Sequence, residues 1–351
     1  MQFEVTKKLL ETIKPVNKDI LPQIERHLNS LTKPPGSLGK IETIATRLGL
    51  IQRTIKPELD FPAVVVMAAD HGIASAGTSA YPQEVTRQMV LNFLSGGAAI
   101  NVFSRISNAK VFVVDMGIKG EPIDNPELIK MSIDKGTKNF AVEPAMKESS
   151  VMKAVSNGME FAQSLIQQGV DIFIPGDMGI GNTSSATAIT SVITHHPVVD
   201  VIGSGTGIDS TKLKIKTALI QDAIKKHNPL PLNPIDILCK VGGFEIAGLT
   251  GLILGAVSYS KPVLLDGIIS TSAALLASLF NKNINDYLFA GHIGKEPAHK
   301  HQLEYLGLDP ILSLDLRLGE GTGGVLALHI LKAACRMMND MATFSSSGVE
   351  C

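Results

Sequence analysis

Along most of the chain, short and nearly unbroken apolar runs end in glycine and a carboxylate, with small-residue helical stretches between them. The runs are Ala63 to Gly72, Lys110 to Gly117, Ile172 to Ile174 with the turn that follows, Val198 to Gly207, Ile237 to Glu245, Pro262 to Gly267, Tyr287 to His292 and Ile311 to Gly321. Runs without polar alternation are the signature of parallel strands covered on both faces. Between most of them, Ala99–Arg105, Ser184–Thr194, Ala247–Val257 and Ser270–Phe280 read as helices. Strand alternating with helix predicts an α/β fold with a parallel sheet. Ligands of such sheets bind outside the carboxyl ends of the strands. The glycine and acid punctuation falls there on run after run, so one shared site is expected at that edge.

The most telling turn follows Ile174. Gly176, Gly179 and Gly181 allow backbone N–H groups to line a concave bend, and Asn182-Thr183-Ser184-Ser185 opens a helix. A helix start adds unpaired donors and a positive dipole end, together an anion cradle. Asp177 stands inside it and is expected to face a part of the ligand other than a phosphate. The ends of the chain differ from the middle. Residues 1–30 and roughly 322–343 carry helical periodicity with charged faces, through Leu9, Leu10 and Ile13 at one end and Val325 to Met338 at the other. They are expected to meet as a small helical subdomain that also braces a partner subunit. Lys33-Pro-Pro-Gly-Ser-Leu-Gly39 between the first helices reads as a rigid loop, and the tail from Ser345 to Cys351 as disordered.

Composition narrows the chemistry. The 351 residues are 44% hydrophobic and 19% charged with a net charge of −1, which describes an ordinary soluble globular protein. The absence of a basic block argues against a nucleic-acid partner. The longest apolar stretch, Ile246 to Tyr259, is interrupted by Gly248, Gly251 and Gly255 and is too short for a bilayer, so no membrane is expected. The N-terminus lacks the apolar core of a signal peptide. Cys239, Cys335 and Cys351 form no framework, which fits a reducing cytoplasm. In Gly203-Ser-Gly-Thr-Gly207 the third glycine falls too early for a dinucleotide fingerprint, and no P-loop occurs. His195, His196, His299 and His301 match no zinc spacing, so no metal is expected, and no serine-hydrolase elbow exists. What remains is a site of glycines, hydroxyls and carboxylates, suited to a phosphorylated sugar or nucleotide whose chemistry needs a base.

At that point the chain resembles a family. Lys33-Pro-Pro-Gly-Ser-Leu-Gly39, Ala69-Asp-His-Gly72, Tyr81-Pro-Gln-Glu-Val-Thr86, Gly96-Gly-Ala-Ala-Ile-Asn101, Gly176-Asp-Met-Gly-Ile-Gly-Asn-Thr183, Gly203-Ser-Gly-Thr-Gly207, Gly242-Gly-Phe-Glu-Ile-Ala-Gly248 and Arg317-Leu-Gly-Glu-Gly-Thr-Gly323 run in the order of the motifs of the nicotinate-nucleotide:dimethylbenzimidazole phosphoribosyltransferases. The resemblance implies a large doubly wound α/β domain over 31–321, with helices on both faces of its sheet. It also implies a small helical domain from 1–30 and 322–351, and a homodimer without a cofactor. The implied reaction moves the 5-phosphoribosyl group of nicotinate mononucleotide to a benzimidazole nitrogen with inversion at C1, in assembly of the cobalamin nucleotide loop. The departing pyridine is already cationic and needs no acid, whereas the incoming azole must shed a proton to a base.

By the same resemblance Glu320 is that base, placed at the end of the last strand, and Asp177 contacts the ribose or its developing charge. Gly179, Gly205 and Lys216 hold the phosphate, with Lys212 and Lys214 as competing lysines. Gly181, Asn182 and Thr183 shape the loop, and Gly294 stands where many relatives carry serine, so its contact there would come from backbone alone. Ser79, Tyr81, Gln88, Met89, Met178 and Leu318 line the slot for the flat base, while Asp70 and Asp115 hold loops. Two other readings remain open from sequence: the same transfer to another base such as adenine or a phenol, and a non-catalytic nucleotide sensor.

Overall fold

All eight residues of Pro62–Ala69 are buried, as an unbroken apolar run requires, and this strand (β1) is central in the sheet of the computed structural model. Residues 10–350 are described, apart from Thr206; the expected periodicity of residues 1–9, Leu9 included, and Cys351 lie outside them. Helices α1 (Leu21–Ser30) and α2 (Lys40–Gln52) precede β1, and α3 (Glu84–Leu94), α4 (Ala99–Ser107), β2 (Lys110–Gly117), β3 (Leu128–Lys130) and α5 (Glu148–Gln167) follow it. The middle of the chain forms β4 (Ile172–Met178), α6 (Asn182–Thr194), α7 (Val198–Val201), α8 (Ser210–His227), α9 (Pro234–Val241) and α10 (Phe244–Ser258). Then come β5 (Val263–Leu265), α11 (Ile268–Phe280), β6 (Leu288–Ala290), β7 (His292–Ile293), α12 (Pro297–Leu306), β8 (Leu312–Ser313), α13 (Thr322–Asp340) and α14 (Phe344–Ser347).

The main sheet is parallel with strand order β3-β2-β1-β4-β5-β6. Strand order reverses between β1 and β4, where a doubly wound sheet opens a crevice at its carboxyl edge. The two strands pair from Pro62 opposite Ile172 to Ala68 opposite Met178, which brings Asp177, opposite Met67, to that crevice, with Asp70 just past the end of β1.

Four expected elements come out differently. Val198 to Gly207 begins with the short helix α7, and Ile237 to Glu245 is split between α9 and the start of α10. The reason is visible in the flanks. Pro197 precedes α7, and Asn233 accepts the Asp236 N–H (3.0 Å) while Pro234 occupies the first position of α9. These are helix-start signals that outweigh β-branched content. Ile311 to Gly321 supplies only the two-residue β8, paired with β7 in a separate small sheet. Glu320 therefore sits in a turn beyond that strand and not at its end. The tail is not structureless either: Thr343 and Ser346 form a reciprocal cap at α14.

The glycines of Ile246–Tyr259 serve packing, as expected. A Cβ on Gly251 would collide with the Val155 carbonyl of α5, and one on Gly158 would collide with the Gly248 carbonyl of α10. The backbones of α5 and α10 thus touch along their length under the sheet. The stretch 84–107 has a mean hydropathy of 1.2 over its most apolar window, but it is two helices, α3 and α4, separated by Ser95-Gly96-Gly97-Ala98. The two ends of the chain meet. His27 Nε2 contacts the Met338 carbonyl (2.8 Å), the Thr32 N–H donates to the Ala342 carbonyl (2.9 Å), and Leu31 bridges Thr343. The Lys33–Gly39 loop is held by Glu42, which accepts the Gly36 and Leu38 N–H groups and pairs with buried Lys33 at 2.8 Å.

Candidate active site

Two strand ends and one distant turn build the crevice. From β4 comes Asp177, 7% exposed, whose Oδ2 accepts from the Asn182 side-chain amide at 2.9 Å. From the turn before α13 comes Glu320, 5% exposed, whose Oε2 accepts the Ile100 N–H of α4 at 3.3 Å. They lie together because Gly176 lacks a side chain: a Cβ there would collide with the Glu320 carbonyl oxygen. A Cβ on Gly319 would likewise sit 3.2 Å from Asp177 Oδ1. Burial pushes Asp177 well above the usual carboxylate range, reinforced by the negative charges of Asp266, Glu245 and Glu320 and opposed by Asn182. Burial also raises Glu320, offset by the Ile100 N–H and reinforced by Asp266. Among the described residues no cation pairs with Asp177, so a cationic ligand would be its natural complement.

Beneath the turn, the end of β1 leads into His71, fully buried, with Nε2 2.6 Å from Glu245 Oε1 and Nδ1 3.1 Å from Ser185 Oγ. Asp70 accepts the Lys119 N–H (2.9 Å), and Asp115 accepts the Gly117 and Ile118 N–H groups (2.8 and 3.0 Å), so both hold loops.

The candidate anion side lies at the start of α6. Lys216 is fully buried, and its Nζ donates to Thr183 Oγ1 at 2.9 Å and reaches the Gly203 carbonyl at 3.5 Å. Lys212 and Lys214 on the same helix are exposed, so Lys216 alone of the three turns inward. Burial lowers its ammonium to about 8, against the pull of Glu296. The Gly205 N–H is occupied by Glu296 Oε1 at 3.1 Å. Gly181, with φ 100°, caps α6, and a Cβ on Gly179 would collide with the Ala69 carbonyl; both glycines are therefore needed where the cradle closes.

Gly294 lies against His299. Its N–H already donates to His299 Nδ1 (2.9 Å), so this backbone donor is engaged. Burial, with His292 alongside, pushes His299 down to about 3, and the neutral ring contacts Thr271 Oγ1 through Nε2 at 3.1 Å. A Cβ on Gly294 would lie 3.0 Å from His299 Nδ1.

The expected acceptor slot is open in the single chain. Tyr81 and Leu318 are 55% and 57% exposed, Gln88 is exposed, and Ser79, Met89 and Met178 are half-buried. Leu318 is thus not a core residue. Helix α3 is tied to the cradle by the Ile180 N–H donating to Thr86 Oγ1 at 3.1 Å, and Met89 lies one turn further along the same face. Among the described residues no three His, Cys, Asp or Glu side chains converge on a metal position. Sequence reading passed over His71, Glu245, Asp266 and Glu296 as site residues. The signal was present for three of them, since His71, Glu245 and Asp266 all sit at the glycine-punctuated ends of apolar runs.

Comparison with known proteins decides among the chemistries that this crevice allows. A family model described as phosphoribosyltransferase matches residues 13–349. The nicotinate-nucleotide–dimethylbenzimidazole phosphoribosyltransferase of Roseiflexus sp. strain RS-1 is 48% identical over 319 residues, 91% of this chain and 90% of its own. The enzyme of that name from Chloroflexus aggregans is 46% identical over 96% of both chains. The chain belongs to this phosphoribosyltransferase family. The crystal structure of the Thermus thermophilus enzyme of the same name superposes with a TM-score of 0.90 at 44% identity, covering 95% of this chain and 99% of that one.

Proposed function

We propose that the protein transfers the 5-phosphoribosyl group of nicotinate mononucleotide to 5,6-dimethylbenzimidazole or a related base, giving α-ribazole 5′-phosphate and nicotinate for the cobalamin nucleotide loop. The observation that carries the reading is the meeting of Glu320 and Asp177 at the β1–β4 crevice, with buried Lys216 held at the helix start that follows β4. In the reaction the azole nitrogen bonds to C1 while the C1–N bond to nicotinate breaks, its electron pair returning to the pyridine ring. Glu320 takes the azole N–H proton, and Asp177 faces the positive charge that builds on the ribosyl ring. Lys216, Thr183 and the N–H groups around Gly179, Gly181 and Gly205 receive the phosphate, displacing Glu296 from Gly205. Ser79, Tyr81, Gln88, Met89, Met178 and Leu318 receive the flat base. Retention of a carboxylate at 320 favours an enzyme over a sensor, because binding alone needs no base. Incubation with nicotinate mononucleotide and a panel of benzimidazoles, adenine and phenols, with products identified by mass, tests this. Release of nicotinate with no ribotide of any base would overturn it.

The same proposal includes a large domain over 31–321, a small helical one from 1–30 and 322–351, a homodimer and a cytoplasmic setting. The His27–Met338 contact supports the pairing of the ends. Val102 and Ile106 on α4, 42% and 69% exposed, offer an apolar face that a second copy would cover.

Lys216 gives a pH signature. The charged amine holds the anion, and deprotonation removes that hold. Nicotinate mononucleotide should therefore bind progressively more weakly above pH about 8, by about tenfold per pH unit once the neutral form dominates. Binding of the uncharged benzimidazole should show no such limb. Lys216→Ala should weaken the nucleotide by about 1.5–3 kcal/mol at neutral pH and leave the base unaffected. Calorimetric titration of each ligand checks both statements; equal weakening would point to a folding defect.

A further inference from the structure

Three consecutive residues of the turn that carries Glu320 have left-handed backbone: Gly319 at φ 89°, Glu320 at φ 64° and Gly321 at φ 94°. Glycine adopts this region freely, whereas glutamate is disfavoured there. A residue stays in such a conformation only where its surroundings over-determine it. On one side the surroundings are β4, against which the Glu320 carbonyl packs at Gly176. The turn is held further by Thr322 Oγ1, which donates to the Gly319 carbonyl at 2.8 Å, and by one buried carboxylate. Asp266, at the end of β5 and 1% exposed, accepts the Gly321 N–H with Oδ2 at 3.0 Å. Its Oδ1 accepts the Gly323 and Gly324 N–H groups at 2.7 and 3.2 Å.

These are the first-turn donors of α13, which a helix cannot satisfy internally. The N-cap residue usually supplies the acceptor, but here the N-cap is Gly321, which has no side chain. The cap comes instead from another strand. Asp266 is itself fixed, since its N–H donates to Ser270 Oγ at 3.0 Å and His292 Nε2 lies 3.3 Å from Oδ1. The His292 ring packs flush against Gly323, where a Cβ would collide with it.

We infer that Asp266 is a positioning residue for the transfer reaction: by capping α13 from β5 it fixes the left-handed Glu320 turn and so the direction of the Glu320 carboxylate. The inference rests on the reading of Glu320 as the base. It has an electrostatic consequence as well. The groups facing Glu320 and Asp266 are Asp177 on β4, His292 on β7 and His299 on α12, and the Asp266 charge raises both Glu320 and Asp177.

Asp266→Asn keeps the shape, removes the charge and turns one acceptor into a donor aimed at N–H groups. The expected result is a kcat lower by about 10²-fold, the scale of a small misplacement of a catalytic group, with KM for nicotinate mononucleotide changed only a few-fold. The acid limb of the pH profile should move to lower pH, which a merely structural role would not cause. Hydrogen exchange at the Gly321, Gly323 and Gly324 amides should accelerate. Unchanged kcat in folded Asp266→Asn, or an acid limb that stays in place, would overturn the inference. Should that variant fail to fold, Ser270→Ala, which removes only the Oγ holding the Asp266 N–H, should lower kcat and accelerate amide exchange more weakly while leaving the acid limb in place; wild-type kcat and amide exchange there would be equally decisive against it. Glu320→Gln keeps the two readings apart. Retained turnover in Glu320→Gln overturns the base assignment itself. Lost turnover there, with normal turnover in Asp266→Asn, overturns only the role of Asp266.

Discussion

Glu320→Gln is expected to lower kcat for transfer by about 10²–10⁴-fold, the usual share of a positioned general base, while nicotinate mononucleotide binds within a few-fold of wild type. The split follows from position. The carboxylate lies beside Asp177 at the crevice, whereas the proposed phosphate contacts, Lys216 and Thr183, meet at the start of α6. Glutamine can still accept the Ile100 N–H, so the backbone of the turn should be undisturbed. The pH profile supplies the second readout. Burial and the charge of Asp266 raise Glu320 above its ordinary value, with the Ile100 N–H opposing. A base must be deprotonated to act, so wild-type kcat/KM should fall as pH drops through that raised value. In Glu320→Gln that limb should vanish, leaving only the titration of the azole itself. Near-normal turnover would move the base elsewhere, and Asp177 would be the next residue to replace.

How far this site could be read from sequence depended on distance along the chain. The β4–α6 turn was legible because its parts are contiguous: an apolar run, three glycines within six residues, then a hydroxyl-rich helix start. The α/β class was legible for the same reason. Misreadings came where local signals compete. Val198 and Ile237 head β-branched runs, yet Pro197 and the Asn233-Pro234 pair start helices there. The choice of Lys216 over Lys212 and Lys214 required knowing which face of α8 is buried, and its low apolar content gave no clear stripe. Asp266 could be placed at a glycine-punctuated strand end but not tied to Glu320. Its partners Gly321, Gly323 and Gly324 lie 55 to 58 residues away, and only the strand order that sets β5 beside β4 brings them within reach. Sequence shows which strand ends carry chemistry; topology decides which of those ends meet.

The acceptor itself should control the reaction. Without a base, nicotinate mononucleotide should be hydrolysed slowly, and adding 5,6-dimethylbenzimidazole should raise nicotinate release by at least about 10²-fold, the scale that positioning of a nucleophile commonly supplies. The crevice explains why water is a poor substitute. The slot bordered by exposed Tyr81 and Leu318 and half-buried Met89 and Met178 is open to solvent, so water there is mobile and not aligned with C1. A flat ring stacked in the slot excludes that water, aligns one nitrogen with C1 and sets its N–H toward Glu320. A single displacement inverts the anomeric carbon, so a β-nucleotide must yield an α-ribotide, which proton coupling at C1 distinguishes directly. A β product would require two displacements and a ribosyl ester on Asp177 or Glu320. That ester should then accumulate when nicotinate mononucleotide is supplied alone, where mass analysis of the rapidly quenched protein would find it.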